Sequence, residues 1–150
     1  ARKVLFEVGG LSVREEIAGL GTTIGEELLR PHRCYLNAVY PLLAEFPEVI
    51  GIAHITGGGL YDNLVRVLPP DIRASIDRRS WTPLPIFNLI QEVGRVNWTE
   101  MYRTFNMGIG MVLVVSREAA PVILQRLQLA GELAAVIGEV QRGSHEVQIV

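Results

Sequence analysis

A β-rich run, Glu48 to Thr56, leads directly into Gly57-Gly58-Gly59 and then into an amphipathic stretch that opens Leu60-Tyr61-Asp62-Asn63-Leu64. Val49-Ile50-Gly51-Ile52-Ala53-His54-Ile55 has the composition of a strand buried on both faces. Leu60, Leu64, Val67 and Leu68 make the apolar stripe of the helix that follows, and Pro69-Pro70 stops it. Strand, glycine turn and helix in immediate succession belong to a layered domain, not to a bundle or a sandwich.

The rest of the chain repeats that interleaving. Ala1 to Val8 reads as a helix already under way, ended by Gly9-Gly10, and 11–21 reads as a loop. Thr22 or Thr23 can cap a short helix through Leu29, with Glu26 and Glu27 in its first turns and Pro31 ending it. Tyr35 to Phe46 is helical, with Leu36, Val39, Leu42, Leu43 and Phe46 on one face. Ile72 to Asp77 alternates like a strand with one wet face. Pro83 and Pro85 introduce a helix over Ile86 to Val93 with Gly94 as its cap, and Thr99 to Phe105 forms another. Ile109 to Ser116 is a second buried strand, and Arg117 to Ala130 a helix closed by Gly131. Ala134 to Val140 and Glu146 to Val150 read as a terminal pair of strands, arranged as a hairpin through Gly143-Ser144. The expectation is an α+β, or layered α/β, fold: one domain over 1–150 with a mixed sheet packed against helices.

Composition removes several function classes. The net charge is −2 and Lys3 is the sole lysine, so no basic track suits a nucleic-acid backbone. The longest apolar stretch, Gly108 to Val115, falls far short of the roughly twenty residues a membrane-spanning helix needs. The lone Cys34 excludes an internal disulfide framework and fits a reducing cytoplasm. The chain starts without methionine and in mid-helix, which leads us to expect the carboxy-terminal part of a longer protein.

Two stretches carry candidate chemistry. Gly57, Gly58 and Gly59 either cradle phosphate oxygens with N–H donors from Gly58, Gly59 and Leu60, or serve a tight turn and close packing. Asn63 stands where it can orient a polar ligand at that helix start. His54, at the strand end, is a candidate general acid or base, or else a hydrogen-bonded structural histidine. Near the second strand, Arg103, Thr104 and Asn106 precede Gly108 and Gly110. Glycines at a strand entry mark a bulge or a backbone closely approached by something else, and Arg103 can pair with a phosphate or carboxylate. His32 and His145 have no partner at metal-ligand spacing, so no metal site is expected. No phosphate-loop lysine, dinucleotide fingerprint or serine elbow is present.

At these residues the chain resembles the phosphoribosylformylglycinamidine cyclo-ligase family, the aminoimidazole ribonucleotide synthetases. The shared wording is His54-Ile-Thr-Gly-Gly-Gly-Leu60, Asn63, Arg66-Val-Leu-Pro69, Ile76-Asp77, Ser80-Trp81, Pro85-Ile-Phe87 and, above all, Met101-Tyr-Arg-Thr-Phe-Asn-Met-Gly-Ile-Gly-Met111. The resemblance implies a carboxy-terminal domain forming one wall of a cleft in which ATP drives ring closure of formylglycinamidine ribonucleotide. ATP and magnesium serve the complete enzyme, with the acidic segments that handle them in the amino-terminal half. It further implies a cytoplasmic homodimer, with Gly57–Gly59 and Asn63 near substrate or nucleotide phosphates and Thr104, Asn106 and Gly108 lining the cleft. Another ATP-using enzyme of the same superfamily and a non-catalytic binding domain are the alternatives. The chain departs from the family where Pro-Thr-Arg-Ile-Tyr-Val-Lys is common: His32 replaces the threonine and Asn37 the lysine. Asp62 also stands where glutamate is usual.

Overall fold

Capping residues and prolines set most helix boundaries in the computed structural model, which describes residues 1–150. An opening π-helix (Lys3–Val8) is followed by α1 (Ile24–Leu29), α2 (Leu36–Glu45), β1 (Val49–His54), α3 (Gly59–Val65) and β2 (Ile72–Ile76). Then come α4 (Pro85–Gly94), α5 (Trp98–Thr104), β3 (Met111–Val115), α6 (Ala120–Leu129), β4 (Gly138–Arg142) and β5 (Glu146–Ile149). Thr23 caps α1 in a full capping box with Glu26, and Asn97 caps α5 by accepting the Thr99 N–H at 2.8 Å. No helix is long and apolar enough to cross a membrane.

The strands form two sheets. β1 and β3 pair antiparallel, and the other sheet has the order β4-β2-β5. In the second sheet β2 runs antiparallel to β4 and parallel to β5, so the expected mixed pairing is present. The expected terminal hairpin is not. β4 and β5 lie on opposite edges of β2, with Ala74 facing Val140 on one side and Val147 on the other. Their connection passes the end of β2, where the Gly143 N–H donates to the Asp71 carbonyl at 2.9 Å. Inserting β2 satisfies its backbone groups on both edges, which a terminal hairpin would have left to other partners.

Leu60 and Leu64 of α3, Met101 and Tyr102 of α5, Ile55, Met107 and Leu5 are all buried in one contiguous core that also takes in Ala74, Ile76 and Val147. Other expectations need correction. β1 is not buried on both faces: Ile50 is 69% exposed. It opens onto a groove of about 750 Å³ lined by β3, α6 and residues 132–140, with Leu133 and Val136 exposed beside it. On α2 the buried residues are Ala38, Val39 and Leu42, while Leu36 and Leu43 face outward. Its contact is with α6, to which Arg126 ties it through Glu45, and this narrow seam covers only part of the apolar stripe. Gly94 is not the cap of α4. It is the last helical residue, pressed against Val4 of the opening helix, and Arg95 takes the left-handed capping conformation at φ 48°.

The Glu26 carboxylate accepts hydrogen bonds from the Thr22 hydroxyl at 2.6 Å, the Thr23 N–H at 3.1 Å and the Thr23 hydroxyl at 2.9 Å. These bonds, led by that from Thr22, pull its pKa from 4.5 down to about 2. A carboxyl with a depressed folded-state pKa contributes stability above its unfolded value and loses it as pH falls through the folded one. Glu26→Gln should therefore lower stability at neutral pH, and its stability should fall less than wild type between pH 4.5 and 2. Urea denaturation midpoints measured across that window check both signs.

Candidate functional site

Two tethers bring the glycine-bearing stretches together. Along the β1–β3 ladder His54 faces Met111, and the next N–H, of Ile55, donates to the Gly110 carbonyl at 2.9 Å. On the helical side, the start of α3 lies on the end of α5. A Cβ on Gly59 would run into the carbonyl oxygens of Tyr102 and Phe105, and φ there is 58°. Glycine at 59 is thus explained by close packing, helix against helix and not helix against sheet.

The three glycines divide by role. Gly58, at φ 97°, turns the chain into α3 with no side chain capping the helix. The Gly59 N–H already donates to the Thr56 carbonyl at 3.0 Å, which removes it from the three donors expected to face a phosphate. Asp62 packs over Gly58, and a carboxylate there works against an anion. Gly57 is exposed and has nothing within 4 Å of where a Cβ would sit. Asn63 is only 6% exposed, and its amide donates to the carbonyls of Gly59 at 2.8 Å and Gly57 at 3.1 Å. Its amide clamps the loop from within.

The second stretch is pinned in a similar way. Asn106 Oδ1 accepts the Gly108 N–H at 3.0 Å, Met107 is buried at φ 52°, and the Met107 carbonyl accepts the indole N–H of Trp81 at 2.9 Å. Gly108, at φ 94°, remains exposed. Thr104 turns its hydroxyl back to Glu100 at 3.0 Å. Arg103 is exposed and lies over the Tyr61 ring, 5.7 Å from its centroid, which joins α5 to α3 by a cation–π contact.

His54 has a neighbour that spacing did not reveal. Its Nε2 lies 2.9 Å from Nε2 of His32, with the rings edge to face and centroids 4.5 Å apart. Tyr35 packs edge-on against His32 at 5.9 Å, and both reach the space that a side chain at Gly110 would fill. Arg33 holds this segment to the end of α6, donating to Glu132 at 2.6 Å and to the Gly131 carbonyl at 3.1 Å. Burial, with the Glu132 charge second, pushes the Tyr35 phenol pKa up, so the ring stays a neutral hydroxyl. No third His, Cys, Asp or Glu joins the histidines to make a metal-ligand set. His32 and Tyr35 escape a local reading because they lie on a loop and a helix start, far in sequence from the strand they meet.

Residues 5–150 match the family described as "AIR synthase related protein, C-terminal domain". Among curated proteins the chain is 44% identical over 146 residues to the phosphoribosylformylglycinamidine cyclo-ligase of Alkaliphilus metalliredigens, covering 97% of this chain and 42% of that protein. To the enzyme of the same name from Citrifermentans bemidjiense it is 49% identical over 142 residues, covering 95% and 40%. For that from Brevibacillus brevis the identity is 47%, covering 97% and 42%. The chain thus spans about two fifths of the length of these relatives. Among solved structures, the crystal structure of E. coli HypE matches with a TM-score of 0.60 at 22% identity, over 84% of this chain and 40% of that one, a likeness of fold.

The division of the glycines is open to measurement. Gly59→Ala combines a positive φ with a collision against two carbonyls and should cost about 3 kcal/mol or more of stability. Gly57→Ala should cost less than about 0.5 kcal/mol. Equal losses in urea denaturation would contradict the packing role assigned to Gly59 alone.

Proposed function

The chain belongs to the AIR synthase related family as its C-terminal domain, and from that premise we propose that it forms one wall of the active-site cleft of an ATP-dependent phosphoribosylformylglycinamidine cyclo-ligase. Its partners are then its own amino-terminal domain, ATP and formylglycinamidine ribonucleotide, in a cytoplasmic homodimer. The observation that carries this reading is identity of 44–49% to enzymes of that name across nearly the whole chain. The meeting of the Thr56–Gly59 and Asn106–Gly110 loops beside His54 supports it, because both recognisable stretches then face one place.

ATP, when bound to the complete enzyme, supplies the phosphoryl group that activates the formamide oxygen, so that an amidine nitrogen can close the ring as phosphate leaves. The residues of this chain do not offer a carboxylate set for magnesium. Their contribution is placement. Gly57 and Gly108 present exposed backbone that a substrate can approach closely. Arg103 is a cation able to balance phosphate charge, and its stacking on Tyr61 of α3, the helix that follows the glycine turn, limits its motion. Asn63 and Asn106 hold the two loops in shape. His54 stands at the strand end as the group able to accept or return a proton.

The deciding experiment combines this chain with its amino-terminal half and follows ADP release. Release that needs both halves and formylglycinamidine ribonucleotide is expected, and a folded, associated pair that releases none would count against the reading. In the active enzyme, Asn106→Ala removes the hydrogen bond that shapes the Gly108 turn. Turnover should fall about tenfold, while stability falls by only about 1 kcal/mol. Unchanged kinetics would remove Asn106 from the cleft.

A further inference from the structure

We propose that His32 is a positioning residue for His54, fixing its ring orientation and coupling its tautomer to that of His32. The inference rests on the reading that His54 faces the reacting atoms, but the pairing itself stands on geometry. At 2.9 Å the two Nε2 atoms share one hydrogen bond. Such a bond needs one nitrogen protonated and the other bare, so each ring constrains the tautomer of its partner. The proton state at Nδ1 of His54, the other nitrogen, is then coupled to the tautomer of His32.

Both members of the pair are held by their surroundings. His54 ends β1 opposite Met111, and the Ile55–Gly110 bond fixes the backbone immediately after it. His32 is held from the other side. Arg33 anchors its segment to Glu132 and the Gly131 carbonyl, and Tyr35 stacks edge-on against its ring. Gly110 completes the arrangement. Any side chain there would displace the Tyr35 hydroxyl and Nε2 of His32, so its glycine keeps open the space in which the two rings meet. Neither histidine is buried, so the contact owes nothing to a packed core closing around it. It depends on a tethered loop delivering one imidazole to the other.

The pairing is read directly from the side-chain nitrogens by long-range ¹H–¹⁵N NMR on this chain. Wild type should show one dominant tautomer for His54. His32→Ala should replace it with the averaged signals of a free imidazole, and His32→Gln, which keeps a donor and an acceptor at that place, should restore much of the original pattern. Because His32 is exposed, the backbone spectrum of both variants should otherwise stay that of the folded protein. Ring signals of His54 that do not move in His32→Ala would overturn the proposal. In the reconstituted enzyme, His32→Ala should lower kcat about tenfold with KM changed less than about twofold, and His32→Gln should recover part of it. An unchanged kcat despite altered ring signals would also overturn the positioning role. Failure of the cyclo-ligase reading would appear differently, as no substrate-dependent ADP release even from wild type, and the NMR result would still decide whether the pair exists.

Discussion

Gly59 has no side chain, and the carbonyl oxygens of Tyr102 and Phe105 lie where one would have to go. That close approach lets the start of α3 settle on the end of α5, and much of the site depends on it. With the β1–β3 ladder it forms the second of two tethers between chain segments far apart in sequence. The ladder alone would fix His54 against Met111 but leave the loops beyond the strands free to separate. The helix contact alone would leave strand register undetermined. Together they hold the Thr56–Gly59 and Asn106–Gly110 loops to a single geometry.

The resulting surface provides shape more than charge. Asp62 hangs over Gly58, the Gly59 N–H is already bonded, and Asn63 is turned inward. These features weaken the simple picture of a three-glycine phosphate cradle. What remains available is exposed backbone at Gly57 and Gly108, one stacked arginine and a pair of imidazoles. In the cleft proposed above, a surface of this kind would suit chemistry in which reactants are positioned by several elements and most of the charge is balanced elsewhere.

Several elements were legible because their determinants are local. The threonine cap at 23 with Glu26 and the proline at the start of α4 act within a turn of the residues they control. The Asn97 cap is missed by sequence reading, and it starts α5 at Trp98 and not at the expected Thr99. The strand at 72–76 was legible from its alternation, but its expected wet face is absent: β2 lies between β4 and β5, no residue of it is exposed, and Arg73 Nε is buried without a partner. Errors arose where a partner decided the outcome. The apolar stripe of α2 is wider than the seam it makes with α6, so Leu36 and Leu43 stay exposed. Gly94 resembles a cap in sequence, but it is held by the approach of Val4, and the left-handed turn falls on Arg95. The last two strands look like neighbours because a short loop joins them, yet β2 lies between them.

The sequence by itself determined roughly where most helices begin, the strands at 49–54, 72–76 and 111–115, and the family wording that the two glycine stretches share, although it set β4 four residues too early, at Ala134 and not Gly138. Those properties reside in neighbouring residues and in periodicity. Tertiary structure alone decided that Asn63 faces inward, that Gly59 serves packing, that β2 splits the terminal strands and that His32 meets His54. Each of these is a contact between distant segments, and its existence depends on register and on the space left by absent side chains. Neither is encoded in any short window of the chain.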